Sequence, residues 1–265
     1  MPSAVVELVV PSRFCGPPTS GNGGWSAGAL AALLPRPDGD RDGWPPVEVT
    51  LRQPPPLDAA MVVTPSDDGI VASFGGSVVL SARPAPEADP APIEPVPADL
   101  ARAAEATYPG LVTHPFGTCF SCGPDREPGD GLRIFPGVVD PQDGLQRVAA
   151  TWVPHESLAD TAHAPTYDGA DGPPRAALPV TWAALDCAGA WSADVGERMM
   201  VLGRMTAAVD ALPVIGEEHV VLGLHHRTEG RKSFTTTTIL DADERVVARA
   251  EQVWISIDPP QPGQE

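Results

Sequence analysis

The sequence predicts an α+β protein of two tandem units, each an antiparallel sheet wrapped around a central helix. Three observations carry this. A Pro-rich, acidic stretch, RPAPEADPAPIEPVPADL (Arg83–Leu100), divides two segments of globular composition. Each segment holds one helix-length run that is apolar on almost every side. Each run is followed by short strand patterns with tight turns between them.

The first unit, residues 1–83, opens with a strand over Val5–Val10. A Gly-rich loop, CGPPTSGNGG, leads into a helix over Trp25–Leu34 that carries no charge and ends at Pro35. Strands follow at Val47–Leu51, Met61–Thr64 and Ile70–Ala82. Residues 84–110 read as a linker, because closely spaced prolines favour an extended polyproline-like backbone. A short helix over Asp99–Thr107 is predicted at its end.

The second unit, residues 111–265, repeats the plan. Strands are predicted at Gly131–Phe135 and Gln146–Val153, followed by a loop rich in Pro, Asp and Gly. A helix then runs from Leu178 to Ala193, with Pro179 accommodated in its first turn. Trp182, Leu185, Cys187, Ala188 and Trp191 cannot share one narrow face, so this helix is expected to be buried all round. Strands at Met199–Asp210, His219–Arg227, Lys232–Leu240 and Arg245–Ile257 complete a meander through the short turns TEGR and DADE.

Charge narrows the function. Against 17 basic residues stand 35 acidic ones, a net charge of -18, so nucleic acid and anionic membrane surfaces are poor partners. No stretch of about 18 or more apolar residues occurs, so no membrane span is predicted. Residues Met1–Val10 carry Glu7 and lack a basic start and a small-residue cleavage site. The expected location is the cytoplasm, with the four cysteines reduced. Cys119 and Cys122 form a CxxC, but no second CxxC exists and Cys15 and Cys187 are remote in sequence, so no metal site is predicted.

One polar residue stands out. Asp186 is a lone carboxylate in an apolar helix, and an unpaired interior charge is costly. It is therefore paired, partly solvated, or placed in a cleft for chemistry.

Three segments also carry a resemblance. CFSCGPDREPGDGLRIF (Cys119–Phe135) resembles the "CFxCGP…GLxxxF" opening of phenylacetyl-CoA-type hotdog thioesterases. VTWAALDCAGAW resembles their central helix, and NGGWSAGALAALL resembles the "NGGY…A" helix start of TesB-like double-hotdog acyl-CoA thioesterases. The resemblance implies a tandem double hotdog that hydrolyses an acyl-CoA or acyl-carrier thioester. It implies no cofactor beyond coenzyme A as part of the substrate, and it allows a homodimer of double hotdogs. In that family a backbone amide at a helix N-terminus polarises the thioester carbonyl, and an acid about two turns further along activates water or attacks the carbonyl directly.

The match is uneven in an informative way. Asp186 falls at the acid position of the second helix, but the His-Gly-Gly of its loop falls on Ala177, Leu178 and Pro179. The first helix has Asn22, Gly23 and Gly24 in the loop, with Ala31 at the acid position. Eight helical residues span about 12 Å, too far for a helix's own N-terminus and acid to meet one carbonyl. The expectation is one composite site, from Asn22–Gly24 and Asp186, with the mirror position dead. Trp182, Trp191 and Leu30 are expected to line the acyl chain, and Trp25 is a further binding candidate whose plainer reading is a place in the core. Arg227, Arg231 and Lys232 either clamp the coenzyme A phosphates or form an ordinary solvated hairpin tip. The alternative is a hotdog protein that binds acyl thioesters without hydrolysing them.

Overall fold

The computed structural model describes residues 5–35, 43–159, 173–193, 195 and 198–258. Most of the predicted Pro-, Asp- and Gly-rich loop of the second half lies outside them. Strands β1 (Val6–Val9), β2 (Trp44–Leu51), β3 (Ala60–Ser66), β4 (Gly69–Phe74) and β5 (Ser77–Pro84) come from the first third of the chain. Strands β6 (Gly137–Gln142), β7 (Leu145–Trp152), β8 (Met200–Val209), β9 (His219–Glu229), β10 (Lys232–Leu240) and β11 (Val246–Ser256) come from the rest. All eleven form one sheet, in the order β1-β3-β4-β5-β2-β8-β11-β10-β9-β7-β6.

Every ladder between neighbouring strands is antiparallel. The order β1-β3-β4-β5-β2 recurs as β7-β9-β10-β11-β8, with β6 added as a hairpin arm. In both sets the helices sit between the first and second strands of the chain. The sets meet edge to edge where β2 pairs with β8, Glu48 opposite Thr206 and Val49 opposite Met205. That pairing removes two sheet edges at once.

Helix α1 (Gly23–Ala31) packs on β2, β5 and β8, while α4 (Cys187–Ser192) packs on β7, β9 and β10. Between them, α3 (Leu178–Ala184) lies against α1. The residues of α1 from Gly24 to Ala31 are all buried, as is every residue of α3 and α4. Among the described residues, no helix is long and apolar enough to cross a membrane.

Three sequence expectations are corrected. The single strand Ile70–Ala82 is two strands, because Gly75 and Gly76 take positive φ (57° and 82°) and close a two-residue hairpin from Phe74 to Ser77. Gly131–Phe135 is not a strand: Leu132 N–H donates to Phe120 O and Ile134 N–H to Ser121 O, so it pairs with the CFSC segment instead of the sheet. The helix Leu178–Ala193 is broken at Leu185–Asp186, where Asp186 has ψ -79°. The Pro-rich segment packs against the second set of strands. Ile93 and Val96, with Ala101 of α2 (Ala98–Ala104), cover Ala149, Val220, Leu222, Leu224 and Leu240 on the outer face of the sheet.

The β10–β11 turn has a testable anchor. Asp241 accepts hydrogen bonds from the backbone N–H of Asp243 (3.0 Å) and Arg245 (2.9 Å) and from the Arg245 guanidinium (2.9 Å). Burial pushes this carboxyl up, but those donors outweigh it and hold it below the usual carboxylate value. A depressed folded pKa contributes stability above the unfolded pKa and loses it as pH falls through the folded one. Asp241→Ala is expected to cost about 1–2 kcal/mol at pH 7, as for a lost cap. In melting curves across pH, the gap from wild type should close as pH falls below about 4.

Candidate functional site

Asn22 is the N-cap of α1, its Oδ1 accepting from Trp25 N–H at 2.8 Å. This leaves the Asn22 amide to donate across to the second helix pair. Nδ2 reaches Asp186 Oδ2 at 2.8 Å and Ser121 Oγ at 3.1 Å. Gly24 N–H donates to the same Asp186 oxygen at 3.1 Å. Residues 164 apart in the chain thus meet at the N-terminus of α1, where the free N–H groups and the helix dipole favour an anion.

Glycine at position 24 is required by space. A Cβ there would lie 2.5 Å from Trp182 O and 2.8 Å from Asp186 Cβ. The helices are therefore in backbone contact at the carboxylate, and Asp186 is only 2% exposed. Burial pushes its carboxyl up, and the neighbouring Cys119 adds to this. The Gly24 and Asn22 donors oppose it, and the balance is about 7. Oδ1 is buried and has no hydrogen-bond partner among the described residues. Such a group can exchange a proton near neutral pH, and Gly24 N–H can polarise a carbonyl once the carboxylate releases it.

Two residues that sequence reasoning missed hold this arrangement. Gln252 on β11 donates through Nε2 to Leu185 O (2.6 Å) and Asp186 O (3.0 Å), satisfying the carbonyls freed by the helix break. Its Oε1 accepts from Thr235 Oγ1 (2.9 Å) and Trp254 Nε1 (3.2 Å). Ser121 accepts from Asn22 and donates to Ala183 O at 2.7 Å, bridging α1 to α3. The CFSCGP segment carried a signal for Ser121; no local pattern marks Gln252.

The remaining predicted site residues are placed differently. Gly23 opens α1, and a Cβ on it would press on the Leu202 side chain. Trp25 is stacked on Phe14, with centroids 4.4 Å apart, and Trp191 packs edge-on to Tyr108 at 4.6 Å. Trp182 is buried against α1. All three indoles are buried in the main hydrophobic core. Arg227, Arg231 and Lys232 sit at the β9–β10 hairpin. There Arg227 stacks on Phe234 and pairs with Glu229, and Arg231 donates to Ser256 O. The structure does not bring them into contact with Asp186. At the mirror position Ala31, Leu178 and Pro179 are buried and apolar.

No protein-family model matches the sequence, and no curated protein matches it. Solved structures do match the fold. A conserved hot dog fold protein of unknown function from Alicyclobacillus acidocaldarius aligns over 96% of this chain and 93% of its own. It is 14% identical, with a TM-score of 0.56. A tesB protein from Mycobacterium avium subs paratuberculosis aligns over 97% and 91%, at 12% identity and a TM-score of 0.53. An acyl-CoA thioesterase II, TesB2, from Mycobacterium marinum aligns over 92% and 93%, at 13% identity and a TM-score of 0.52. At such identities likeness carries architecture and not activity. The chain is a hotdog-fold protein.

Proposed function

We propose that this chain is a tandem double hotdog that hydrolyses an acyl-CoA or acyl-carrier thioester at one composite site. Its units are residues 1–83 and 111–265, joined by 84–110, and its expected location is the cytoplasm. The observation that carries the reading is the Asp186 carboxylate held by Asn22 and Gly24 with Oδ1 left unpartnered. In the proposed reaction, Asp186 gives up Gly24 N–H to the thioester carbonyl and takes a proton from the attacking water. The water's oxygen bonds to the carbonyl carbon, the C–S bond breaks, and Asp186 passes the proton to the leaving sulfur, releasing the thiol and restoring the carboxylate. Arg231 and Lys232 are the candidates to meet the carrier's phosphates, since Arg227 is already engaged by Glu229 and Phe234. The fold shared with two TesB proteins supports the substrate class.

A second reading, binding without hydrolysis, has its own support. Asp186 is 2% exposed and already fills the Gly24 N–H that a carbonyl would need. Thiol release from a panel of acyl-CoA and acyl-carrier thioesters separates the two. Saturable release of free thiol is expected. Saturable binding of the same thioesters with no thiol released would replace hydrolysis by the second reading.

A further inference from the structure

Three cysteines converge where the CFSC segment meets α4. The Sγ atoms of Cys119, Cys122 and Cys187 all lie within 4.8 Å of one another, with Cys119 and Cys187 3.7 Å apart. Each is buried and none is in a disulfide. Sulfurs bound at ~2.3 Å to one metal ion stand roughly 3.8–4.0 Å apart, so small side-chain adjustments would place all three around a common centre. Cys187 is 68 residues from Cys119 in the chain, which is why the sequence argued against a metal here. The fold removes that objection.

The surroundings are those of sulfur that carries charge. Asn22 Nδ2 lies 3.8 Å from Cys119 Sγ. Phe116 N–H donates to His114 Nδ1 at 2.9 Å, so the neutral ring keeps its proton on Nε2, which donates to Cys122 Sγ at 3.3 Å. His114 therefore supports a sulfur and does not ligate. Hydrogen bonds of this kind around first ligands are how proteins orient and tune a thiolate centre. Cys15 is separate: its sulfur meets Arg126 and Thr118 O.

We propose that Cys119, Cys122 and Cys187 form a three-thiolate site for a single thiophilic metal ion, zinc(II) or copper(I). Thiolates favour soft ions, and calcium or magnesium would find no oxygen ligand in the triad. Bound there, the ion ties the Cys119–Cys122 turn to the start of α4. That tie holds Ser121 in its bridge between Asn22 and Ala183 O. The site is independent of whether the chain hydrolyses thioesters.

The full chain, reduced and stripped with chelator, is titrated with zinc(II) alone and with copper(I) alone against a competing chromophoric chelator. One equivalent of either metal is expected to bind and to raise the melting temperature. Cys119→Ser, Cys122→Ser and Cys187→Ser should each weaken binding more than about 100-fold, beyond the usual loss for an outer-shell change. Cys15→Ser should not. Because a serine in the core can unfold the chain, thiol labelling of the wild type supplies a second readout. Metal should slow labelling of Cys119, Cys122 and Cys187 and leave Cys15 unchanged. Absence of stoichiometric binding by both metals, or labelling that metal does not alter, overturns the site.

Discussion

Asp186→Asn should lower thiol release by about 10²–10⁴-fold, the range that a positioned general base supplies, while the chain stays folded. The amide is close to the carboxylate in shape, and its oxygen can still accept from Asn22 and Gly24. Its nitrogen would take the place of Oδ1, which already lacks a partner among the described residues. The loss should therefore fall on kcat, with binding of the thioester nearly unchanged. Asn22→Ala is the contrasting variant. It removes the cap on Trp25 N–H as well as the donor to Asp186, so it should lose stability along with activity. Turnover by Asp186→Asn equal to wild type would remove Asp186 from the reaction. Circular dichroism and melting curves taken beside the assay show whether either variant has simply unfolded.

What the sequence made legible was what short-range patterns encode. The apolar character of the Trp25–Leu34 and Leu178–Ala193 runs identified the buried helices, and the turns TEGR and DADE marked the hairpins of the meander. The pairing of Asn22–Gly24 with Asp186 followed from the resemblance, which marks the loop and the acid positions, and from helix length, which puts a helix's own acid too far from its own N-terminus. The structure brings those residues into hydrogen-bond contact.

Other features depend on partners distant in sequence. The break at Leu185–Asp186 has no Gly or Pro to announce it. Its freed carbonyls are met by Gln252, 67 and 66 residues away. Cys187 looked remote from Cys119 for the same reason, and the β2–β8 seam has no local mark at all. The role of the tryptophans is hidden in a different way. An indole that lines a ligand cleft and one that fills a core have the same pattern on a helix, and only the helix separation distinguishes them. Here Gly24 and Gly28 let α1 approach Trp182 so closely that a Cβ at either position would press on it.

That close contact yields the largest expected change in stability. Trp182 is 2% exposed, and Trp182→Ala should cost about 3–5 kcal/mol through lost burial and the cavity left behind. For a chain of this size the melting temperature should drop by roughly 10 °C. Gly28 faces the same indole: an added Cβ would lie 2.7 Å from Trp182 Cβ and Cγ and 2.9 Å from Pro179 Cα. In an exposed helix Gly→Ala gains about 0.8–1 kcal/mol from propensity alone. Here overpacking of about 1–3 kcal/mol opposes that gain, so Gly28→Ala is expected to destabilise. The double variant separates packing from propensity. Trp182→Ala removes Cγ and the ring but keeps the Cβ, so the new methyl is still crowded by that Cβ and by Pro179 Cα, and the loss from Gly28→Ala should shrink but not vanish in the Trp182→Ala background. Contacting residues are expected to show such non-additivity. If the two losses instead simply add in urea titrations, the backbone contact between α1 and α3 is not what fixes their spacing, and room for an acyl chain between them would have to be reconsidered.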